Sequence, residues 1–417
     1  MSFITSLTRI WLTRTMKPFT FKNEYDRILP YAECENLGLY VHIPFCKSIC
    51  NFCPYCKVRY SAELCDRYID SLIREIHIVG SRYTKRKKVT GLYFGGGTPA
   101  LAADRIKGIV DALKEHFIIT EGIGLELHPD NVNAKVLQML KDAGVTKIST
   151  GIQSFSDKYR TVLGRKKIDT AKMLSALSSV PFETVSMDFI FALPGQTYDD
   201  LKSDIDTAFS LGANHVAIYP FIDFTFTESP VAAMPKKDKR KLLDAITQYC
   251  LEKGYSRNSI WTFSSKPNAN YSSMTRDNFV GFGCSAASLF KEQFKINTFD
   301  VDSYCERIRS GNLATSLTIR FTKRQRMIYW LFWTAYSTRV NAKDFEKFFG
   351  VPLKKMYGFE LWAAEQLGLV RKHNGTYEMT PKGAFYYHYY ENFYTLSYID
   401  RMWGIMRKEA FPEQLRL

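Results

Sequence analysis

The chemistry of this chain is densest in the run Tyr40-Val-His-Ile-Pro-Phe-Cys46-Lys-Ser-Ile-Cys50-Asn-Phe-Cys53-Pro-Tyr-Cys56. Cys46, Cys50 and Cys53 follow a C-x3-C-x2-C spacing, and three thiolates so placed on one loop can hold three irons of a 4Fe–4S cluster. Soft thiolates select iron–sulfur or zinc over harder ions. A structural zinc site asks for four closed ligands, usually as two separated pairs. This loop offers three cysteines in a row and an offset fourth, Cys56, so a cluster held by the first three would keep one iron open to a small molecule. Zinc, or cysteines gathered by accident, is the competing reading. Cys34, Cys65, Cys250, Cys284 and Cys305 are scattered and read as small buried hydrophobes. Nine cysteines in 417 residues are an odd number at low density, which argues against a secreted disulfide scaffold.

Something must hold that loop, and the surrounding pattern says what. β-rich runs at Leu39 to Ile43, Val89 to Phe94, Ile123 to Leu127, Lys147 to Ile152, Thr184 to Phe191 and His215 to Tyr219 alternate with amphipathic segments. Ile69, Leu72, Ile73 and Ile76, spaced by three and four, show the helical period. Six strand–helix repeats imply consecutive βαβ units on a parallel sheet. The predicted fold is therefore α/β: an open, TIM-like (β/α)6 partial barrel, too short to close at eight, with its chemistry on the loops after the strand C-termini. The division expected is a 1–36 N-terminal extension, a 37–300 barrel with a β extension, and a smaller, mostly helical 301–417 unit covering the substrate. In that last unit Tyr329, Trp330, Phe332, Trp333 and Tyr336 surround a helix and suggest burial on all sides. Glu360 to Val370, a Thr376 to Met379 strand and Thr380-Pro381 look like a small winged-helix-like unit.

Placed after the first strand, the cysteine loop resembles the cluster loop of the radical S-adenosylmethionine (SAM) superfamily. The run Tyr-x-His-Ile-Pro-Phe-Cys is similar to that of the oxygen-independent coproporphyrinogen III oxidase family, and the resemblance covers at least Leu39 to Asn297. It implies a 4Fe–4S cluster on Cys46, Cys50 and Cys53, reductive cleavage of SAM at the open iron, and a 5'-deoxyadenosyl radical that takes hydrogen from substrate. An electron donor such as flavodoxin or ferredoxin would follow. Gly95-Gly96-Gly97-Thr98-Pro99 matches the segment that meets the methionine amino group, although a bare glycine turn is the plain reading of it. Glu126, Gln153, Arg165, Asp188 and Ile190 match SAM-binding positions, with Arg165 suited to a carboxylate. Tyr40 and Phe52 would pack at the cluster and adenine, or simply in the core.

The chain also departs from that family. The oxidase has C-x-C after the third cysteine. Here position 55 is Tyr and the thiol is displaced to Cys56, either a catalytic thiol or a bystander. The haem-chaperone motif His-Asn-x-x-Tyr falls on Pro267-Asn-Ala-Asn-Tyr271, without histidine. Tyr271 to Asp277 and Gly281-Phe-Gly283-Cys-Ser285-Ala286 are instead similar to class C radical SAM methyltransferases, in which a second SAM supplies a methylene; a tight turn before packed structure is the plain alternative. The expectation drawn is methylation or cyclopropanation of an sp2 carbon in a small substrate, with two SAM molecules. Oxidase-like or haem-degrading tetrapyrrole chemistry and a haem-binding carrier stand as alternatives.

The composition bounds these readings. The apolar fraction, 46%, excludes a disordered chain. No run approaches the ~18 apolar residues of a membrane span. A net charge of +15 favours an anionic partner, such as a carboxylate-bearing or tetrapyrrole substrate. The basic blocks Lys85 to Lys88, Lys236 to Lys241 and Lys323 to Arg326 form no nucleic-acid recognition module. Ile4 to Phe19 is basic and partly amphipathic but has no apolar h-region, so a cytoplasmic chain with an N-terminal extension is expected.

Overall fold

The computed structural model describes residues 3–24, 28–227, 232–265 and 277–417. Pro267 to Tyr271, and Tyr271 to Arg276 of the methyltransferase-like run, lie outside the described residues. A helix, α1 (Phe3–Thr13), and a short strand, β1 (Thr20–Lys22), open the chain. Six strands follow at the positions the sequence marks: β2 (Leu37–Ile43), β3 (Leu92–Gly96), β4 (Ile123–Leu127), β5 (Lys147–Gln153), β6 (Thr184–Phe191) and β7 (His215–Pro220). Each pairs in parallel with the next. One expected strand is cut: Lys87–Val89 ends before β3, because Thr90 donates its N–H to Leu37 O at 2.8 Å and the chain bends there.

The crossovers are helices for local reasons. In α2 (Ala62–Gly80), Ser61 caps the start by accepting from Leu64 N, and Ile69, Leu72 and Ile76 face the sheet. Thr197 and Asp200 close a capping box at the helix Tyr198–Ser210. Outward-facing strand residues such as Phe94, Ile148, Ile152, Met187 and Phe189 are fully buried beneath these helices. Full burial of each such side chain stabilises by roughly 1.5–3 kcal/mol, so this layer contributes to holding the strands in place.

The sheet stays open and runs on at both edges, with fourteen strands among the described residues. Beyond β7 lie two short antiparallel strands, β8 (Ser256–Arg257) and β9 (Thr262–Ser264). Beyond β2, β10 (Asn278–Phe282) joins in parallel, followed by antiparallel β11 (Ala287–Leu289), β12 (Gln293–Asn297) and β13 (Thr315–Arg320). β1 then pairs with β13 and with the C-terminal β14 (Gln414–Arg416), so the two chain ends share one sheet edge.

Residues of the C-terminal helices line part of a central chamber. In Lys323–Ala335 the structure corrects the expectation of all-round burial. Trp330 enters a separate core with Phe345, Phe349 and Tyr357, whereas Tyr329, Phe332, Trp333 and Tyr336 are half-buried and face that chamber. A three-stranded sheet of Arg339–Asn341, Thr376–Met379 and Val370–His373 accompanies helix Leu353–Gln366. No described helix is long and apolar enough to cross a membrane.

Candidate active site

Side chains alternate across a strand, so every second residue of the parallel strands points away from the helices into one chamber. Tyr40 and His42 of β2, Tyr93 of β3, Glu126 of β4, Ser149 and Gln153 of β5, Asp188 and Ile190 of β6 and Tyr219 of β7 all line it. The chamber holds about 1980 Å³, roughly twice the upper end of ordinary small-molecule pockets. Cys46, Cys50, Phe52, Cys53 and Cys56 form one side of its strand-end wall, with Gly96, Gly97, Thr98, Arg165 and Ser285 beside them.

Two carboxylates dominate that wall. Tyr93 Oη donates to Glu126 Oε1 at 3.1 Å and the Gly96 N–H donates to Oε2 at 3.3 Å. Ser149 and Ser186 hydroxyls donate to Asp188 at 2.7 and 3.2 Å. Burial, with the charge of Asp188 adding to it, pushes Glu126 up to about 7; burial also raises Asp188 to about 6. Such a pair favours hydroxyls or a cationic group in the chamber. Nearby, Arg165 Nη1 donates to Gly151 O at 3.3 Å, yet its Nε is buried without a partner. That orphaned donor suits a carboxylate. Phe52 lies with its ring 5.8 Å from this guanidinium. Gln153 ends β5 in the left-handed region, φ 71°, at a bulge where the register with β6 shifts. Strain of this kind marks sites that the fold over-determines. Gly151 makes room, since a Cβ there would lie 2.9 Å from the Gln153 amide nitrogen.

The thiol loop is fastened at its ends. Val58 N donates to Pro44 O at 2.8 Å and Tyr60 N to Cys46 O at 2.9 Å. The glycine segment fastens it from below: Gly97 N donates to Ile43 O at 2.9 Å and Thr98 N to Phe45 O at 2.7 Å. A Cβ on Gly97 would sit 2.6 Å from Phe45 O. Gly96 (φ 122°) and Gly97 are thus required by close backbone approach to the cysteine loop. Cys46 Sγ is 3.9 Å from Thr98 Oγ1, and burial pushes this thiol up to about 11. Among the described residues, Cys46, Cys50 and Cys53 do not bring their sulfurs within 4.8 Å of one another as a set. A single tetrahedral zinc with Zn–S of about 2.3 Å would draw them to about 3.8 Å, so the trio suits a larger polynuclear group better.

Cys56 is turned away from that trio. It is buried, donates to Phe299 O at 3.2 Å, and lies beside His42 and Cys284. Gly281, Gly283 and Ala286, by contrast, lie off the chamber wall, among buried residues. A Cβ on Gly281 would strike Ala287 O at 2.2 Å, and one on Gly283 the Tyr68 hydroxyl at 2.4 Å, so these glycines answer to the protein's own packing. Buried Glu75 of α2 holds the same turn, accepting from Gly283 N at 2.7 Å, Tyr304 Oη at 2.7 Å and Asn297 Nδ2 at 3.0 Å. Of this turn Ser285 (φ 55°) reaches the chamber.

Sequence reasoning missed Tyr93, Ser149 and Ser186, which hold the two carboxylates. The signal was available: Ser149, Gly151 and Gln153 alternate with outward-facing buried residues, as do Ser186, Asp188 and Ile190. His42 was legible as part of the cysteine run. Its Nε2–H donates to Cys56 O at 3.0 Å, because a carbonyl can only accept, and its Nδ1 therefore accepts from Tyr40 Oη at 3.1 Å.

With this geometry in hand, known proteins give it a context. Residues 40–208 match the family model described as the radical SAM superfamily. Heme chaperone HemW of Lactococcus lactis subsp. lactis is 30% identical over 265 residues, 60% of this chain and 68% of the relative. The chain belongs to the radical SAM superfamily, in its coproporphyrinogen III oxidase-like family. Heme chaperone HemW of Bacillus subtilis is 27% identical over 364 residues, covering 82% of this chain and 95% of that one. The fold matches the solved structure of coproporphyrinogen III oxidase HemN from Escherichia coli with a TM-score of 0.75 at 21% identity, covering 88% of this chain and 93% of the other. Membership of this superfamily implies a 4Fe–4S cluster and SAM, and the donor set fits both: three thiols at the chamber wall, and an unpaired buried Arg165 nitrogen lining the same chamber as two carboxylates.

Proposed function

We propose that this radical SAM enzyme acts on a tetrapyrrole, with Cys46, Cys50 and Cys53 holding the cluster and the carboxylate–arginine wall holding SAM. The observation that carries the reading is a chamber of about 1980 Å³ with thiols and carboxylates on one wall and tyrosine and tryptophan rings on the other. Cluster and SAM, when bound, supply an electron and a carbon-centred radical that takes up hydrogen. This chain's residues do the rest. Arg165 pairs with the SAM carboxylate through its free Nε, charge-assisted and directional. Glu126 and Asp188 accept from ribose hydroxyls or the ammonium group, each already oriented by Tyr93, Ser149 or Ser186. Gln153, fixed in a strained turn, offers its amide to the same ligand. Ile190 and Phe52 present apolar faces to the adenine, and Tyr40 fixes His42 beside the cysteine loop. The ring-rich wall gives a flat macrocycle contact area and excludes water from the radical.

Both kinds of relative support this choice, since HemW is named as a heme chaperone and HemN as a coproporphyrinogen III oxidase. The charge of +15 suits a polycarboxylate substrate and a small acidic electron donor such as flavodoxin or ferredoxin. The second reading is transfer of a methylene from a second SAM, and it rests on Ser285 facing the chamber from the Gly281 to Ala286 turn. One oxygen-free assay separates the two. Reconstituted protein, reductant and SAM are incubated with coproporphyrinogen III or with haem, and the products are resolved by mass. The tetrapyrrole reading expects 5'-deoxyadenosine to rise with a matching mass change in the tetrapyrrole. Deoxyadenosine formation that neither tetrapyrrole stimulates or consumes overturns it, and S-adenosylhomocysteine formed in step with a methylated product establishes the second reading instead.

A further inference from the structure

Cys56, His42 and Cys284 come from three separate segments and meet in the interior. Their relative exposures are 6%, 3% and 0%, and one ligand atom of each, two Sγ and a ring nitrogen, lies within 4.8 Å of the others. We propose that these three residues form a mononuclear zinc site that ties the cysteine loop to the turn after β10.

Two thiolates and a neutral imidazole are the donors zinc prefers. They also match its charge. Binding proceeds as Zn²⁺ plus two thiols giving a zinc dithiolate and two released protons, so the buried product is neutral and carries no unpaired ion into the core. At metal–sulfur and metal–nitrogen lengths of about 2.3 and 2.1 Å, tetrahedral ligands sit about 3.6–3.8 Å apart, a contraction of about 1 Å from the 4.8 Å limit that side-chain rotation provides. His42 has a partner on each nitrogen, Tyr40 Oη and Cys56 O. Ligation replaces one of these contacts, and the other remains to orient the ring, as metal-bound histidines require. His42 and Cys56 also border the chamber with Ser285, which gives the ion an entry path and leaves a fourth position for Ser285 or water.

This accounts for Cys56 as the iron-cluster loop does not: the displaced thiol points to Cys284 instead of to Cys46, Cys50 and Cys53. The inference does not depend on the substrate or on SAM cleavage. Its test is zinc K-edge absorption on oxygen-free protein carrying its iron–sulfur cluster, after zinc loading and removal of loose metal. That edge is silent to iron. The expected result is about one zinc per chain with two sulfur and one nitrogen scatterers, and at least a tenfold loss of zinc in Cys284→Ser at unchanged iron content. Absence of tight zinc in the wild type overturns the proposal. So does a shell of three or four sulfurs without nitrogen, which would put zinc in the Cys46–Cys53 loop. A Cys56–Cys284 disulfide in the loaded protein overturns it too. The wild-type spectrum decides even if the variant fails to fold.

Discussion

On the strand-end wall the two carboxylates are already held by other polar groups of this chain, whereas on the helical wall rings meet rings. Glu126 and Asp188 are fixed by Tyr93, Ser149 and Ser186. Across the chamber, Phe332 stacks on Tyr387 at 5.2 Å, Tyr329 meets Trp333 at 6.2 Å and Tyr394 meets Tyr398 at 5.2 Å. Directional bonds specify one ligand geometry. Ring contacts supply area and tolerate variation. Under the proposed function, the cofactor chemistry belongs to the first wall and the choice of substrate to the second.

Dismantling the first wall should have the largest effect. Cys50→Ala should reduce cluster iron and deoxyadenosine production to background, measured by iron content and chromatography, with the fold preserved by circular dichroism. Arg165→Ala should weaken SAM binding by roughly 10- to 100-fold, the worth of about 1.5–3 kcal/mol for a charge-assisted hydrogen bond. Equilibrium dialysis on the clustered protein checks this, and Arg165→Lys should recover only part of the loss. On the second wall, Trp333→Ala should weaken tetrapyrrole binding by up to about tenfold, for the roughly 0.5–1.5 kcal/mol of one aromatic contact, while SAM affinity stays put. A loss of both affinities in that variant would mean the two walls are not separable.

The smallest effect is a pH dependence. Burial lifts Glu126 to about 7 and Asp188 to about 6, above their unfolded values of 4.5 and 3.8. The folded, ligand-free protein therefore binds more protons than the unfolded chain between about pH 4 and 7, and stability from these groups rises as the pH falls through that window. Thermal unfolding should show a higher Tm near pH 5.5 than near pH 7.5, and Glu126→Gln should flatten the difference. An unaltered slope would place the titration elsewhere, with buried Glu75, also raised to about 7, as the first alternative.

The two walls also differ in how far the sequence exposes them. β4 and β6 match their expected spans because apolar alternation and flanking polar turns act within a few residues. Six βαβ repeats then fix the order of the strands and gather Glu126, Gln153 and Asp188 at their ends. The helical wall depends on contacts no local pattern records. Phe332 and Tyr387 lie 55 residues apart, and Phe21 of β1 pairs with Leu415 of β14 at the opposite end of the chain. Tyr329 and Trp330 are neighbours of similar type, yet one faces the chamber and the other a separate core, a difference decided by what packs on each side of the helix. The pairing of Cys56 with Cys284 was equally hidden, since scattered cysteines read as core residues until the sheet extension brings β10 beside β2.

The most direct test of the central claim, that three thiols leave one iron open to SAM, is electron paramagnetic resonance of the reduced, oxygen-free protein with and without SAM. The expected result is a 4Fe–4S signal whose g values change on adding SAM, with the change shifted to higher SAM concentration in Arg165→Ala. A fully assembled cluster whose spectrum ignores saturating SAM would contradict it.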